Sequence, residues 1–316
     1  MPTPQHLPTP LVAFVALFLS ASLSAWIWAI GRLRRGELLL PQAPSKTVPW
    51  RIEAVIAVAL LWMILNTLVP YLLHPLIVAP ETTWLPSSAK QPYSTAEELL
   101  LIAIINALLV LLIPIYLAWS AKAHPSDIGI SSNELGVNVL RGVVACLLIA
   151  PPVYFINFLA ALRWKVQHHP LEQMVRDDPS GPIALLAVIS GVILAPAAEE
   201  LMFRGVLQAW LMRVWQGAGG ATRATDSLDE QPVPGAGSHE PVVSPRPPRD
   251  GMMPILITST IFAGIHVGQW PAPVAIFFLS LGLGFLYQRT GSLIGPFVLH
   301  AMFNGISTLG LFASLH

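Results

Sequence analysis

Long apolar runs separated by short polar stretches set the pattern of this chain. A helix needs about 20 mainly apolar residues to cross a hydrocarbon core of about 30 Å. Leu11 to Ile30, Ala54 to Val78, Leu99 to Trp119 and about Leu140 to Leu162 are runs of that kind. A fifth opens over Pro182 to Ala195 and continues helically to about Trp215; three more cover Met253 to Val267, Pro273 to Tyr287 and Leu293 to Phe312. Backbone groups in lipid must be satisfied within each segment, so the predicted fold is all-α, a polytopic transmembrane bundle of about eight membrane-spanning helices. The small residues of SLGLG in the seventh run suit close helix packing.

Breaks in the pattern refine this picture. Asn66, Pro70, His74 and Pro75 predict an irregular outer half of the second span, and Pro114 a bend in the third. The turn HPSDIG leads to a short amphipathic helix from near Ser131 or Ser132, with Ser132 and Asn133 as capping residues. Arg163 to Gly181 reads as a polar connection, in which the neighbouring His168 and His169 point apart. As one helix, Gly181 to Trp215 would measure about 50 Å, and Pro196 is the expected place for it to bend or divide. Residues 216–251 turn to Gly, Pro, Ser and Thr and are expected to form a disordered linker. This organises the chain into an N-terminal transmembrane region (1–121, about three spans) and a second region (122–312) that the linker interrupts.

Composition agrees with a membrane protein: 54% of the 316 residues are hydrophobic and 11% charged. With zero net charge and no basic tract, a nucleic-acid partner is not expected. Cys146, the only cysteine, excludes an intrachain disulfide and a cysteine-based metal cluster. Arg32, Arg34 and Arg35 follow the first span where a signal peptide would carry its charges ahead of it, which predicts a retained anchor. Threading the spans puts most Lys and Arg on one side if the N-terminus is outside; Lys90, Arg163, Lys165 and Arg176 fall opposite. The location expected is a bacterial cytoplasmic membrane, with the lipid bilayer as the immediate partner.

The polar residues inside the apolar runs carry the chemistry. APAAEELMFRG (Ala195 to Gly205) places Glu199, Glu200 and Arg204 in one segment. Each costs roughly 2.5 to 3.5 kcal/mol at the centre of a membrane helix, so something must compensate. Glu200 and Arg204 stand at i and i+4 and can pair, whereas Glu199 is turned about 100° away and stays free. Phe262 and His266 share a face of the sixth span, and His300 and Asn304 a face of the eighth. Ser280, Ser292 and Ser307 lie in apolar surroundings, where hydroxyls bond back to their own helix.

Two chemistries use this set. Glu199 and His266 can deprotonate a water while His300 and Asn304 donate to the oxyanion of a tetrahedral intermediate, which is general-base peptide hydrolysis. Alternatively His266, His300 and Glu199 bind zinc, whose water is the nucleophile; this reading lacks the H-E-x-x-H helix that commonly supplies two ligands. Rivals from other classes are a non-catalytic membrane scaffold and a transporter with intramembrane charges along its path.

EELMFR, FAGIH and HAMFN together resemble the CPBP family of CAAX proteases and bacteriocin-processing (Abi) enzymes, whose pattern is EExxxR, FxxxH and HxxxN on separate membrane helices. The resemblance covers roughly Lys122 to Phe312 and departs from the usual pattern in the insertion at 216–251. It implies a metal-independent intramembrane glutamic endopeptidase with no cofactor. Glu199 and His266 would activate water, His300 and Asn304 would form the oxyanion hole, and Glu200, Arg204 and Phe262 would support the site. The implied substrates are prenylated proteins, leader-bearing peptides or other membrane-associated chains, and some relatives serve in self-immunity.

Overall fold

A computed structural model describes residues 9–40, 47–77, 93–131, 134–167, 170–226 and 251–315. The described chain is helical: α1 (Thr9–Arg34), α2 (Ile52–Ile77), α3 (Thr95–Ala121), α4 (Pro125–Ile128), α5 (Leu135–Arg163) and α6 (Pro170–Asp177) come first. One long rod follows, made of α7 (Gly181–Val188), a π-helical segment π1 (Ile189–Leu194), α8 (Ala195–Glu200), a second π segment π2 (Leu201–Gln208) and α9 (Ala209–Asp226). Helices α10 (Met252–Gly264), α11 (Ala272–Thr290) and α12 (Ile294–Ser314) complete the order. Seven helical stretches are long and apolar enough to cross a membrane, and α10 adds a shorter apolar helix of 13 residues. The chain is an integral, multi-pass membrane protein.

Several expectations are corrected. The rod is not divided at Pro196; the helix runs through it because the hydrogen bonding widens to i→i+5 in π1, where the Ala195 N–H reaches Ser190 O. Its membrane-spanning part, Gly181–Gly217, is 37 residues, about 50 Å long. Helix α2 continues through Pro70 and Pro75 to Ile77. Helix α10 stops at Gly264 instead of Val267, and His266 enters a 3₁₀ turn (Val267–Gln269), in a stretch punctuated by Gly264, Gly268 and Pro271. The polar connection after α5 contains a helix of its own, α6, with Arg176 bound to Glu172 at 2.9 Å. The expected amphipathic start merges into α5, which begins after Glu134 at φ 56°. Ser132 and Asn133, His168 and His169, and residues 227–250 of the expected linker lie outside the described residues, while 216–226 continue as helix.

Packing places the rod in the middle. Helices α2 and α3 flank it on one side, sharing an apolar core in which Leu109, Ile113 and Leu117 meet Ala198, Leu201 and Val206. Helices α5, α11 and α12 form a second core around Cys146, Leu283 and Leu299. Arg204 and Gln208 of the rod bond to Ser280 and Gly284 of α11. Both numbers advance by four together, so the rod and α11 run parallel. The two ends of the bundle are tied separately, by Gln167 N–H to Trp270 O at 2.8 Å and by Leu293 N–H to Gly129 O at 2.9 Å.

Glycine sets how closely helices approach, as SLGLG suggested. Gly282 lies where a Cβ would sit 2.5 Å from Ile149 of α5. A Cβ on Gly142 would stand 2.6 Å from the Gly295 carbonyl oxygen and 2.7 Å from Val298 Cβ, neither of which can rotate away. Gly142→Ala is therefore expected to lower stability by about 1 to 3 kcal/mol through overpacking. Gly136→Ala, six residues earlier with nothing within 4 Å of its Cβ, is expected to be neutral or stabilising. Thermal unfolding of the two detergent-purified variants checks the difference.

Candidate active site

The site is built where the rod, α10, α11 and α12 meet. Glu200 and Arg204 are 1% and 0% exposed and pair at 3.0 Å, Nη1 to Oε1, as their i, i+4 spacing predicts. Burying a charge pair is costly unless its remaining donors and acceptors are engaged, and this pair is only partly satisfied, since Glu200 Oε2 and Arg204 Nε have no hydrogen-bond partner among the described residues. Here Arg204 Nη2 donates to Ser280 Oγ at 2.8 Å, and the guanidinium lies over the Phe262 ring at 4.6 Å, within cation–π range.

His300, on α12, joins both glutamates. Its Nδ1 is 2.8 Å from Glu200 Oε1 and its Nε2 3.6 Å from Glu199 Oε2. A carboxylate only accepts, so Nδ1–H is the donor to Glu200, and this fixes the tautomer with Nε2 facing Glu199. Glu199 stays out of the Arg204 pair, and the two carboxylates approach one imidazole from its two nitrogens. They differ in environment, since the Glu199 side chain is 23% exposed and Glu200 is sealed.

Asn304 follows His300 by one turn, and its Nδ2 donates to Gly191 O at 2.9 Å. The widened π1 register pairs residue 191 with residue 196, and Pro196 has no N–H to give. Asn304 thus takes the carbonyl that the proline leaves open, with its second amide hydrogen still available.

His266 stands just beyond the end of α10, its Nδ1 2.7 Å from Phe262 O. A histidine at a helix C-terminus satisfies a terminal carbonyl in this way. With Nδ1–H donating, Nε2 is left as an acceptor toward an open cavity of about 530 Å³. One wall of that cavity is Val166, Gln167 and Gln173, the other Ile265, His266 and Gln269. Phe262 is the common neighbour: its ring centroid lies 4.9 Å from that of His266, 5.9 Å from His300 and 5.0 Å from Phe203.

Glu200, Arg204, Phe262 and His300 are therefore linked to one another, Glu199 lies 3.6 Å from His300, His266 joins them through Phe262, and Asn304 reaches the rod's main chain. Among the described residues no three His, Cys, Asp or Glu side chains are grouped as a metal ion would require. Two partners escaped the sequence reading. Ser280 was expected to bond back to its own helix and instead accepts from Arg204. Gln208, fully buried, donates to Gly284 O at 2.8 Å; its place one turn beyond Arg204 was the available signal. Ser307 does bond back to Phe303 O, and Tyr154 reaches both groups.

Residues 181–228 and 236–306 match the family model described as Rce1-like, type II CAAX prenyl endopeptidase. No curated protein and no solved structure matches the chain. The two matched stretches contain every site residue named from the sequence, from Glu199 to Asn304, and in them the chain is similar to the Rce1-like type II CAAX prenyl endopeptidases.

Proposed function

We propose that this protein hydrolyses a peptide bond near the prenylated C-terminus of a membrane-associated substrate, with Glu199 and His266 activating water and no metal ion taking part. The similarity of residues 181–228 and 236–306 to the Rce1-like family model supports the reaction class. One observation carries the residue roles: of two adjacent carboxylates on one histidine, Glu200 is sealed in a charge pair and the Glu199 side chain is 23% exposed. A general base must reach both its water and the solvent that replenishes it, which suits Glu199 and excludes Glu200.

In the proposed reaction Glu199 takes a proton from a water that also donates to Nε2 of His266, and the hydroxide attacks the scissile carbonyl. The oxyanion is met by the second amide hydrogen of Asn304 and by Nε2–H of His300 acting in this step as an imidazolium, with Nδ1–H still bonded to Glu200 and the ring charge balanced by the neighbouring carboxylates. Glu199 then returns its proton to the leaving amine as the C–N bond breaks. Glu200, Arg204 and Phe262 hold His300 and take no part in the proton transfers. The charge bias in the sequence supports an N-terminus on the outer face of the membrane.

Glu199→Gln is expected to lower kcat by about 10² to 10⁴-fold, the usual size of a general-base contribution, with an unchanged thermal midpoint. An internally quenched farnesylated peptide with three residues after the modified cysteine is the assay; cleavage at the wild-type rate by the variant would reject the mechanism. Arg204→Met leaves Glu200 as a buried charge without its partner and is expected to cost about 3 to 5 kcal/mol of stability along with the activity. Thermal unfolding separates it from Glu199→Gln, which loses activity alone. EDTA and 1,10-phenanthroline are expected to leave the rate unchanged; loss of activity that added zinc restores would replace this mechanism with a metal-bound water.

A further inference from the structure

The segment ahead of α2, outside the family-matched stretches, grips the rod beside the catalytic glutamates. Trp50 is 1% exposed, although it belongs to no helix, and its Nε1 donates to Val206 O at 3.2 Å. Arg213, two turns further along the rod, turns Nη1 back onto the carbonyls of Trp50 (2.6 Å), Val48 (3.2 Å) and Pro49 (3.3 Å). Val48 and Trp50 pack in the same apolar core as Ala198, Leu201, Val206 and Ala209. The contact thus has an apolar filling and a hydrogen bond at each end.

Its position matters because π2 ends there. The Ala209 N–H bonds to Arg204 O and Val206 O, passing over the Gly205 carbonyl that a regular α-helix would use. A π segment is a rare departure from α geometry and persists where its surroundings hold it. Reverting it by one residue would rotate everything before it by about 100° relative to α9. Two features oppose that rotation. Gly205 faces Ile128 and Leu293, where a Cβ would stand 2.9 Å and 3.3 Å away, so neither Arg204 nor Val206 could turn into its place. On the other side Trp50 occupies the Val206 carbonyl.

We propose that residues 47–51 form a latch, and that Trp50 and Arg213 are positioning residues. They hold the π register of Leu201–Gln208 and through it the rotational setting of Glu199, Glu200 and Arg204 toward His300. The catalytic consequence rests on the peptidase reading above; the structural one does not.

The test uses the full chain in nanodiscs and reads both. Trp50→Phe keeps most of the apolar volume and removes the N–H; Arg213→Gln removes the other end; Trp62→Phe, on the exposed face of α2, is the control. For the two latch variants, hydrogen exchange followed by mass spectrometry is expected to speed up about ten-fold over 201–208, with α5 and α12 unchanged. The kcat on the quenched farnesylated peptide is expected to fall about ten-fold at unchanged KM, with the thermal midpoint within about 3 °C of wild type. Exchange over 201–208 at the wild-type rate in Trp50→Phe, or faster exchange spread evenly over all helices, overturns the latch. If Glu199→Gln still cleaves, the peptidase reading falls and the exchange result alone decides. If Glu199→Gln is dead while Trp50→Phe has wild-type kcat and exchange, only the latch falls.

Discussion

The charge pair between Glu200 and Arg204 is the constraint from which the site is assembled. Neither side chain is accessible, so every hydrogen bond they form must come from the protein. Arg204 takes the Ser280 hydroxyl and the face of Phe262; Glu200 takes the Nδ1 of His300 on the oxygen it already gives to Arg204. Those demands bring α10, α11 and α12 to one level of the rod. They also settle the histidine: with Nδ1 committed to a carboxylate, its Nε2 has a fixed direction, and that direction is Glu199. A buried pair of this kind adds little net stability by general physics, and what it does here is orient His300.

Space for this meeting comes from residues that lack side chains. The parallel contact of the rod with α11 is bonded twice, one turn apart, and the second bond ends on Gly284, where a Cβ would press 2.9 Å from the Gln208 amide and 3.0 Å from Ile255. Gly205 does the same against α4, and Gly142 against α12. Apolar burial gives little preference between lipid and a neighbouring helix, so in a membrane shape and hydrogen bonds fix such contacts. The polar ladder from Arg204 to Gln208 then serves as a register mark between two helices whose apolar faces would tolerate sliding.

Much of this was legible in the chain because it depends on spacing. The i, i+4 intervals of Glu200 and Arg204, Phe262 and His266, and His300 and Asn304 survive in the coordinates as a salt bridge, a ring-to-carbonyl contact and one shared face. The helical class and the spans were legible for the same reason, each being a matter of run length. What escaped was everything that depends on hydrogen-bond register. A π turn leaves the apolar pattern almost unchanged, so the sequence marks Pro196 as a place to bend or divide, whereas the widened backbone carries the helix through it undivided. Trp50 was invisible because its partner, Val206, lies 156 residues away and contributes only a carbonyl.

Two oddities of length resolve each other. A rod of 37 membrane-spanning residues is too long for a bilayer, and α10, at 13 residues and about 20 Å, is too short. Had α10 been a full helix through Val267, its carbonyls would have been internally paired and the imidazole of His266 held on a lipid-facing rod. By stopping at Gly264 it frees a terminal carbonyl for His266 and hands the chain to a turn beside Gln167 and Gln173. Non-helical backbone within a membrane is tolerated where it lines a cavity that water can fill, and the turn after α10 lines one. The rod's excess length has the complementary effect: it projects Arg213 past the bundle core to the main chain of 48–50, so its rotation is anchored outside the site that depends on it.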